Sequence, residues 1–83
     1  MSEESRVATV AIIVEDQNAA EAVNRVLHEF GTVIVGRMGL PYREKNVSVI
    51  NVVLDAPMDT INSLTGKLGM VKGISAKTLL SKV

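Results

Sequence analysis

The stretch GRMGLPYREK, residues 36–45, concentrates the side chains of this chain that are best suited to binding an anion. Arg37 lies in a segment otherwise made of Val, Ile, Met, Leu and Gly, while Tyr42 and Arg43 follow a proline. A charge in apolar surroundings needs a carboxylate, a carbonyl or an anionic ligand, and the planar guanidinium group suits carboxylate and phosphate. Arg37, Tyr42 and Arg43 are therefore the candidate effector or partner site. The alternative is that both arginines are ordinary structural or surface residues.

The residue types needed for catalysis or for metal binding are scarce. The chain has no cysteine and one histidine, His28, which is expected to be exposed near the negative end of a helix. One histidine cannot complete a nickel or zinc site, and the glycines do not have the spacing of a phosphate or dinucleotide loop. No serine shows a histidine and carboxylate relay. We predict no catalytic residue, no metal and no cofactor.

Charge and hydropathy limit the partners. Nine basic residues balance nine acidic ones, so no net field attracts the domain to nucleic acid, and direct nucleic-acid binding is not expected. The longest apolar runs, such as Val10 to Val14, have the length of a strand and cannot span a bilayer. The start, MSEES, does not resemble a secretion signal. We expect a cytoplasmic protein that does not bind membranes.

Hydrophobic periodicity predicts six elements that position these side chains. They follow in the order strand, helix, strand, strand, helix, strand, at residues 6–14, 17–30, 32–40, 47–55, 57–69 and 74–82. The second helix has an alternative end at Thr65, because Gly66 is unfavourable in a helix. Gly36 and Gly39 make the second strand an edge candidate with a bulge.

This order predicts an α+β fold, the ferredoxin-like βαββαβ sandwich, with two helices on one face of a four-stranded antiparallel sheet. The domain should occupy residues 6–83, after a disordered N-terminus at 1–5. The first and third strands are apolar on both faces, although only one face has helices to cover it. We therefore expect a homodimer or homotetramer, formed through the open sheet face or the sheet edges.

Several segments resemble a known family. They are IVED at 13–16, Val23-Asn24 with Leu27-His28, GRMGLPYRE at 36–44 and LTGKLG at 64–69. With them the chain, from about Arg6 to Lys82, is similar to the regulators of the iron-only hydrogenase system. Those are small proteins that resemble ACT domains and the C-terminal domain of the nickel-responsive repressor. The resemblance implies a non-enzymatic, ACT-like regulatory module.

Two features of the wider relatives are not carried over. ACT domains that bind amino acids have a glycine at the turn after the first strand, where this chain has Glu15-Asp16-Gln17-Asn18. The histidines and cysteine of the nickel site have no counterparts, and only five residues precede Arg6, where the repressor has its DNA-binding segment. Taken with the apolar strands and the two arginines, the regulatory role that the resemblance implies predicts an oligomer that binds a small anionic effector or a protein partner. A structural adaptor without a ligand, or an enzyme that uses the open sheet face, remains an alternative.

Overall fold

The structure, a computed structural model, describes residues 4–83. The four strands are β1 (Ser5–Val14), β2 (Ile34–Tyr42), β3 (Val47–Pro57) and β4 (Ile74–Leu80). The two helices are α1 (Ala20–Glu29), which follows a 3₁₀ turn at Gln17–Ala19, and α2 (Met58–Gly69). The predicted disordered N-terminus falls partly on residues 1–3, outside the described residues, while Ser5 is the first residue of β1.

The strands form one antiparallel sheet in the order β2-β3-β1-β4, which confirms the ferredoxin-like fold. β1 lies centrally because it is the most continuously apolar strand, and β2 and β4 form the edges. The predicted bulge is present in β2, between Ile34 and Gly36. β2 and β3 are joined by a 3₁₀ turn at Arg43–Lys45, closed by Asn46 with φ 57° in the left-handed region that asparagine tolerates.

Alternate residues of β1 and β3 pack against the helices and form the core with the apolar stripes of α1 and α2. The fully buried large side chains of this core are Val10, Ile12, Val14, Val23, Leu27, Val52, Leu54, Ile61, Leu64 and Leu68. Val23 and Leu27, four residues apart, form the buried face of α1. Between the two helices, Glu29 of α1 forms a salt bridge of 2.8 Å with Lys67 of α2.

Several element boundaries differ from those predicted. β1 begins one residue earlier, at Ser5, and residues 17–19 form a 3₁₀ turn before α1, which ends at Glu29. Pro57 ends β3 instead of beginning α2.

β2 runs from Ile34 to Tyr42 rather than over 32–40, so Pro41 and Tyr42 belong to the strand and not to the connection. An edge strand tolerates proline, because one side of its backbone has no neighbour to bond. α2 continues through Gly66 to Gly69, so the alternative end at Thr65 is wrong. β4 ends at Leu80, two residues earlier than predicted.

The other side of the sheet carries no helix, and we call it the open sheet face. Cross-strand pairing and the burial pattern place alternate residues of every strand on it. These residues are Val7, Thr9, Ala11 and Ile13 of β1, Gly36, Met38, Leu40 and Tyr42 of β2, Val47, Val49, Asn51, Val53 and Asp55 of β3, and Ser75, Lys77 and Leu79 of β4. None of the described helices is long and apolar enough to cross a membrane.

Candidate functional site

Arg37 lies on the helix side of the edge strand β2, opposite the buried Val52 of β3. Its Nη2 atom donates a hydrogen bond of 2.8 Å to Oδ1 of Asn24 in α1. This contact joins the strand to the helix across the edge of the sheet. Because an asparagine is neutral, it orients the guanidinium group without neutralising its charge.

A cavity of about 310 Å³ lies between α1 and β2, and we call it the α1–β2 groove. Val14 and Ile50, which belong to the core, form part of its wall, and Arg37 and Asn24 supply polar groups together with the hydroxyl-bearing Ser48. Gly39 lines the same groove. The groove thus combines an apolar wall with the positive charge of Arg37, an exposed side chain.

Gly39 is not required by the fold of the single chain. A Cβ atom built on it meets nothing within 4 Å, and its φ is not in the left-handed region. Glycine in a strand interior costs about 0.5–1 kcal/mol relative to alanine. Its small size therefore leaves room in the groove for an atom from outside the chain.

Tyr42 and Arg43 lie at the end of the hairpin, in a second cavity of about 260 Å³ that we call the hairpin pocket. Gln17 closes one side, because its Nε2 atom donates to the carbonyl oxygen of Asn46 at 3.3 Å. Tyr42 is paired with Val47 and so belongs to the open sheet face, whereas Arg37 is on the helix side. The structure thus brings Tyr42 and Arg43 together but places Arg37 in a separate, adjoining cavity.

The two cavities share a wall made of Pro41 and Ser48, which are cross-strand neighbours. A ligand that extended past this wall would reach both arginines. Within residues 4–83, no carboxylate lies within 4.0 Å of Arg37 or Arg43. Both cations are therefore free of an ion pair among these residues.

The residues that sequence reasoning missed are the polar partners Asn24, Ser48 and Gln17. Asn24 is an exposed asparagine in the middle of a helix, where that residue has a poor intrinsic propensity. An asparagine at this position in the sequence is therefore a sign that its side chain serves something other than helix formation. The side chain that it would contact could not be inferred, because the contact depends on how α1 packs across the sheet.

The structure offers no arrangement typical of metal binding in the part of the chain that it describes. Residues 4–83 contain no group of three His, Cys, Asp or Glu side chains that could hold a metal ion. His28 is exposed in the last turn of α1, at the position expected from the sequence.

The fold and the sequence together decide the family. A family model named TM1266-like, with the description "Iron-only hydrogenase system regulator, putative", matches residues 6–78. The chain belongs to this family. The resemblance seen in the sequence is thereby confirmed. No curated protein is significantly similar to the chain.

Solved structures agree with this assignment. The uncharacterized protein TM1266 from Thermotoga maritima is 40% identical, with a TM-score of 0.90. The match covers 95% of this chain and 100% of that one. The ACT domain of the GTP pyrophosphokinase of Chlorobium tepidum is 20% identical, with a TM-score of 0.75 over 90% of this chain and 99% of that domain. At this identity the second likeness shows the fold alone, and that fold is ACT-like.

Proposed function

We propose that this member of the TM1266-like family is a non-enzymatic regulatory module of the iron-only hydrogenase system. It acts in the cytoplasm as an oligomer and binds a small anionic effector, or the carboxylate of a protein partner. The family description supports the regulatory role. The observation that carries the ligand chemistry is Arg37, held by Asn24 at the α1–β2 groove.

The strength of this site would come from the wall of the groove. Val14 is fully buried and Ile50 is only 7% exposed, so an anion beside Arg37 would have apolar atoms on one side. A charged hydrogen bond is stronger where water is partly excluded. Asn24 occupies one Nη atom, which leaves the remaining N–H groups of the fork for a carboxylate or phosphate.

Arg43 and Tyr42 would set the size of the ligand. A small anion in the groove would contact Arg37 without reaching the hairpin pocket. A longer ligand or a partner segment would pass Pro41 and Ser48 and contact both arginines. The effect of Arg43 therefore separates a small effector from an extended one.

A thermal-shift experiment tests the proposal. The melting temperature of the purified wild type is measured without and with each of a panel of carboxylates and phosphates. The same measurements are made on the Arg37→Met and Arg43→Met variants. Met keeps an apolar side chain and removes the charge. Arg25→Met is the matched control, because Arg25 is an exposed arginine on α1 that does not line the groove.

A ligand present at ten times its Kd would stabilise the native state by about 1.4 kcal/mol. For a domain of this size, that stabilisation raises the Tm by roughly 5–10 °C. We expect the shift in the wild type and in Arg25→Met, and its loss in Arg37→Met. A stabilising anion whose effect is the same in Arg37→Met would contradict the proposed site. Binding of a hydrogenase-system protein that needs Arg37, without any stabilising anion, would favour the adaptor alternative.

A further inference from the structure

The open sheet face is apolar at its centre and nearly free of charge. Val7, Ile13, Met38, Leu40 and Val53 are between 38% and 60% exposed there, although all five are large hydrophobic residues. The charged residues at this face are Asp55 near one end of β3, Lys77 on the edge strand β4, and Glu15 just beyond β1, whose carboxylate accepts a hydrogen bond of 3.0 Å from Ser75. These charges lie at the ends and the edge of the face, and both signs are present.

The face is large enough to be an interface. Four strands at about 4.8 Å spacing and roughly 30 Å in length give a flat area on the order of 600 Å² per subunit. The uneven surface of the side chains adds to this area. Two such faces bury about 1,200 Å², which exceeds the roughly 1,000 Å² expected of a specific interface. Isolated apolar surface residues are ordinary, but the large apolar side chains of this face lie on neighbouring strands, and the largest apolar patches of a protein surface are often interaction sites.

Two polar side chains lie on the central strands of this face, the hydroxyl of Thr9 on β1 and the amide of Asn51 on β3. Asn51 is the more demanding of the two, because its amide has two donors and an acceptor. It is half-buried on β3, with Met38 of β2 opposite on one side and Ala11 of β1 on the other, and Lys77 lies beyond Ala11 in the same row. The side-chain hydrogen bonds found among residues 4–83 do not include the Asn51 amide. Covering this face would therefore leave the amide unsatisfied unless the covering surface bonded to it.

An asparagine amide is complementary to itself, because it carries both N–H donors and a carbonyl acceptor. In a two-fold interface a residue meets its own copy only on the symmetry axis. Two asparagine side chains of about 3.5 Å each, joined by a hydrogen bond of about 2.9 Å, span the ~10 Å that separates packed sheets. A second copy of this chain thus offers both the apolar surface and the polar partner that the face requires.

We infer that the chain forms a two-fold dimer through its open sheet faces, with the axis passing at Asn51 and the two Asn51 amides hydrogen-bonded across it. The inference rests on the proposed function only for the statement that the chain self-associates. The apolar side chains supply the association. The paired amides fix the register, since any sliding of one sheet over the other would bury both amides without partners.

Sedimentation equilibrium of the wild type and of two face variants tests the assembly. Asn51→Asp would place two carboxylates against each other, and Val53→Asp would put a charge into the apolar surface. We expect a wild-type dimer at micromolar concentration and at least a 100-fold weaker dimer in both variants. Met70→Asp is the matched control, because Met70 is 84% exposed in the turn after α2, away from this face, and its variant should dimerise like the wild type.

Cross-linking tests the position of the axis in the folded protein. The chain has no cysteine, so Asn51→Cys carries a single thiol. With the two sheets ~10 Å apart, the paired sulfur atoms on the axis would lie roughly 4–5 Å from each other, within reach of a short thiol cross-linker such as a mercuric ion. Ser63→Cys, exposed on α2, is the control and should not cross-link. A monomeric wild type, a dimer unaffected by both aspartate variants, or equal cross-linking at the two positions would overturn the inference. The effector site is judged separately, because Arg37→Met affects the helix side and not this face.

Discussion

Gly39 provides a test of the groove that does not remove a charge. Because nothing lies within 4 Å of a Cβ atom at this position, Gly39→Ala should be accommodated without strain. We expect the free energy of unfolding to rise by about 0.5–1 kcal/mol, since alanine loses less backbone entropy than glycine in a strand. The added methyl group would occupy the groove, so the affinity for the stabilising anion should fall.

Urea unfolding and anion titration of the same variant give both results. Gly36→Ala is the control, because Gly36 is also in β2 with open space at its Cβ but faces the open side of the sheet. It should keep the anion affinity of the wild type. Equal affinity for Gly39→Ala and Gly36→Ala would show that the ligand does not use the groove.

At this scale the sequence predicted which residues are unusual but not how they are grouped. Arg37 was identified because it is a charge in an apolar strand. Its neutral partner, Asn24, lies 13 positions away on a helix, and only the packing of that helix brings the two together. Tyr42 and Arg43 line one cavity, since they are adjacent in the chain. Arg37, which the sequence grouped with them, lines the other. The separation of Arg37 from them follows from strand alternation once Pro41 and Tyr42 are included in β2.

The turn between α2 and β4 depends on Gly73. Its φ is +88°, and a Cβ atom there would lie 2.6 Å from Cβ of Asp16, too close to be relieved by a side-chain rotation. The carbonyl oxygen of Gly73 also accepts hydrogen bonds from the backbone N–H groups of Glu15 and Asp16, at 2.9 and 3.0 Å. This turn therefore clamps the end of β1.

Replacing Gly73 should lower the stability of the fold, whereas replacing Gly66 inside α2 should not. We expect Gly73→Ala to lower the free energy of unfolding by about 1–3 kcal/mol, because of the strained φ and the displaced turn. Gly66→Ala is the matched variant in α2, where the Cβ position is open, and should raise it by about 0.5–1 kcal/mol. Chemical unfolding at one fixed protein concentration measures both. Similar losses in the two variants would contradict the assignment of the turn.

The elements themselves were largely predictable, and their ends were not. Hydrophobic periodicity placed all four strands and both helices, because each buries one stripe or one face. The end of α2 was uncertain because intrinsic propensity disfavours Gly66. The helix continues past Gly66, since Leu64 and Leu68 on either side of that glycine are both buried in the core. Packing outweighs the unfavourable propensity of one residue.

The whole molecule is expected not to bind nickel. One histidine and no cysteine per chain cannot supply the nitrogen- and sulfur-rich ligands of such a site. Equilibrium dialysis followed by metal analysis should recover far less than one nickel ion per chain. Stoichiometric nickel that survives dialysis would contradict this, and a His28→Ala variant would then show whether His28 supplies a ligand.

The sequence alone did not determine which face of the sheet is left without helices. Apolar residues on both faces of β1 and β3 indicated that one sheet face needed a cover. The alternation could not say which set faced the helices, since a shift of one residue exchanges the two faces. The structure resolves this, because Ile50, Val52 and Leu54 are buried under the helices while Val49 and Val53 lie on the open side. Only this placement shows that Asn51 lies on the open sheet face and not under the helices.

The central position of β1 also affects how the chain folds. β1 pairs with β3 on one side and with β4 on the other, so its second neighbour is the last strand in chain order. β1 is synthesised first, but one of its edges has no partner strand until β4 has been synthesised. Long-range pairing of this kind slows folding and leaves apolar strand edges exposed meanwhile. Until β4 docks, a nascent chain would present the β1 edge as a site for chaperones or for aggregation.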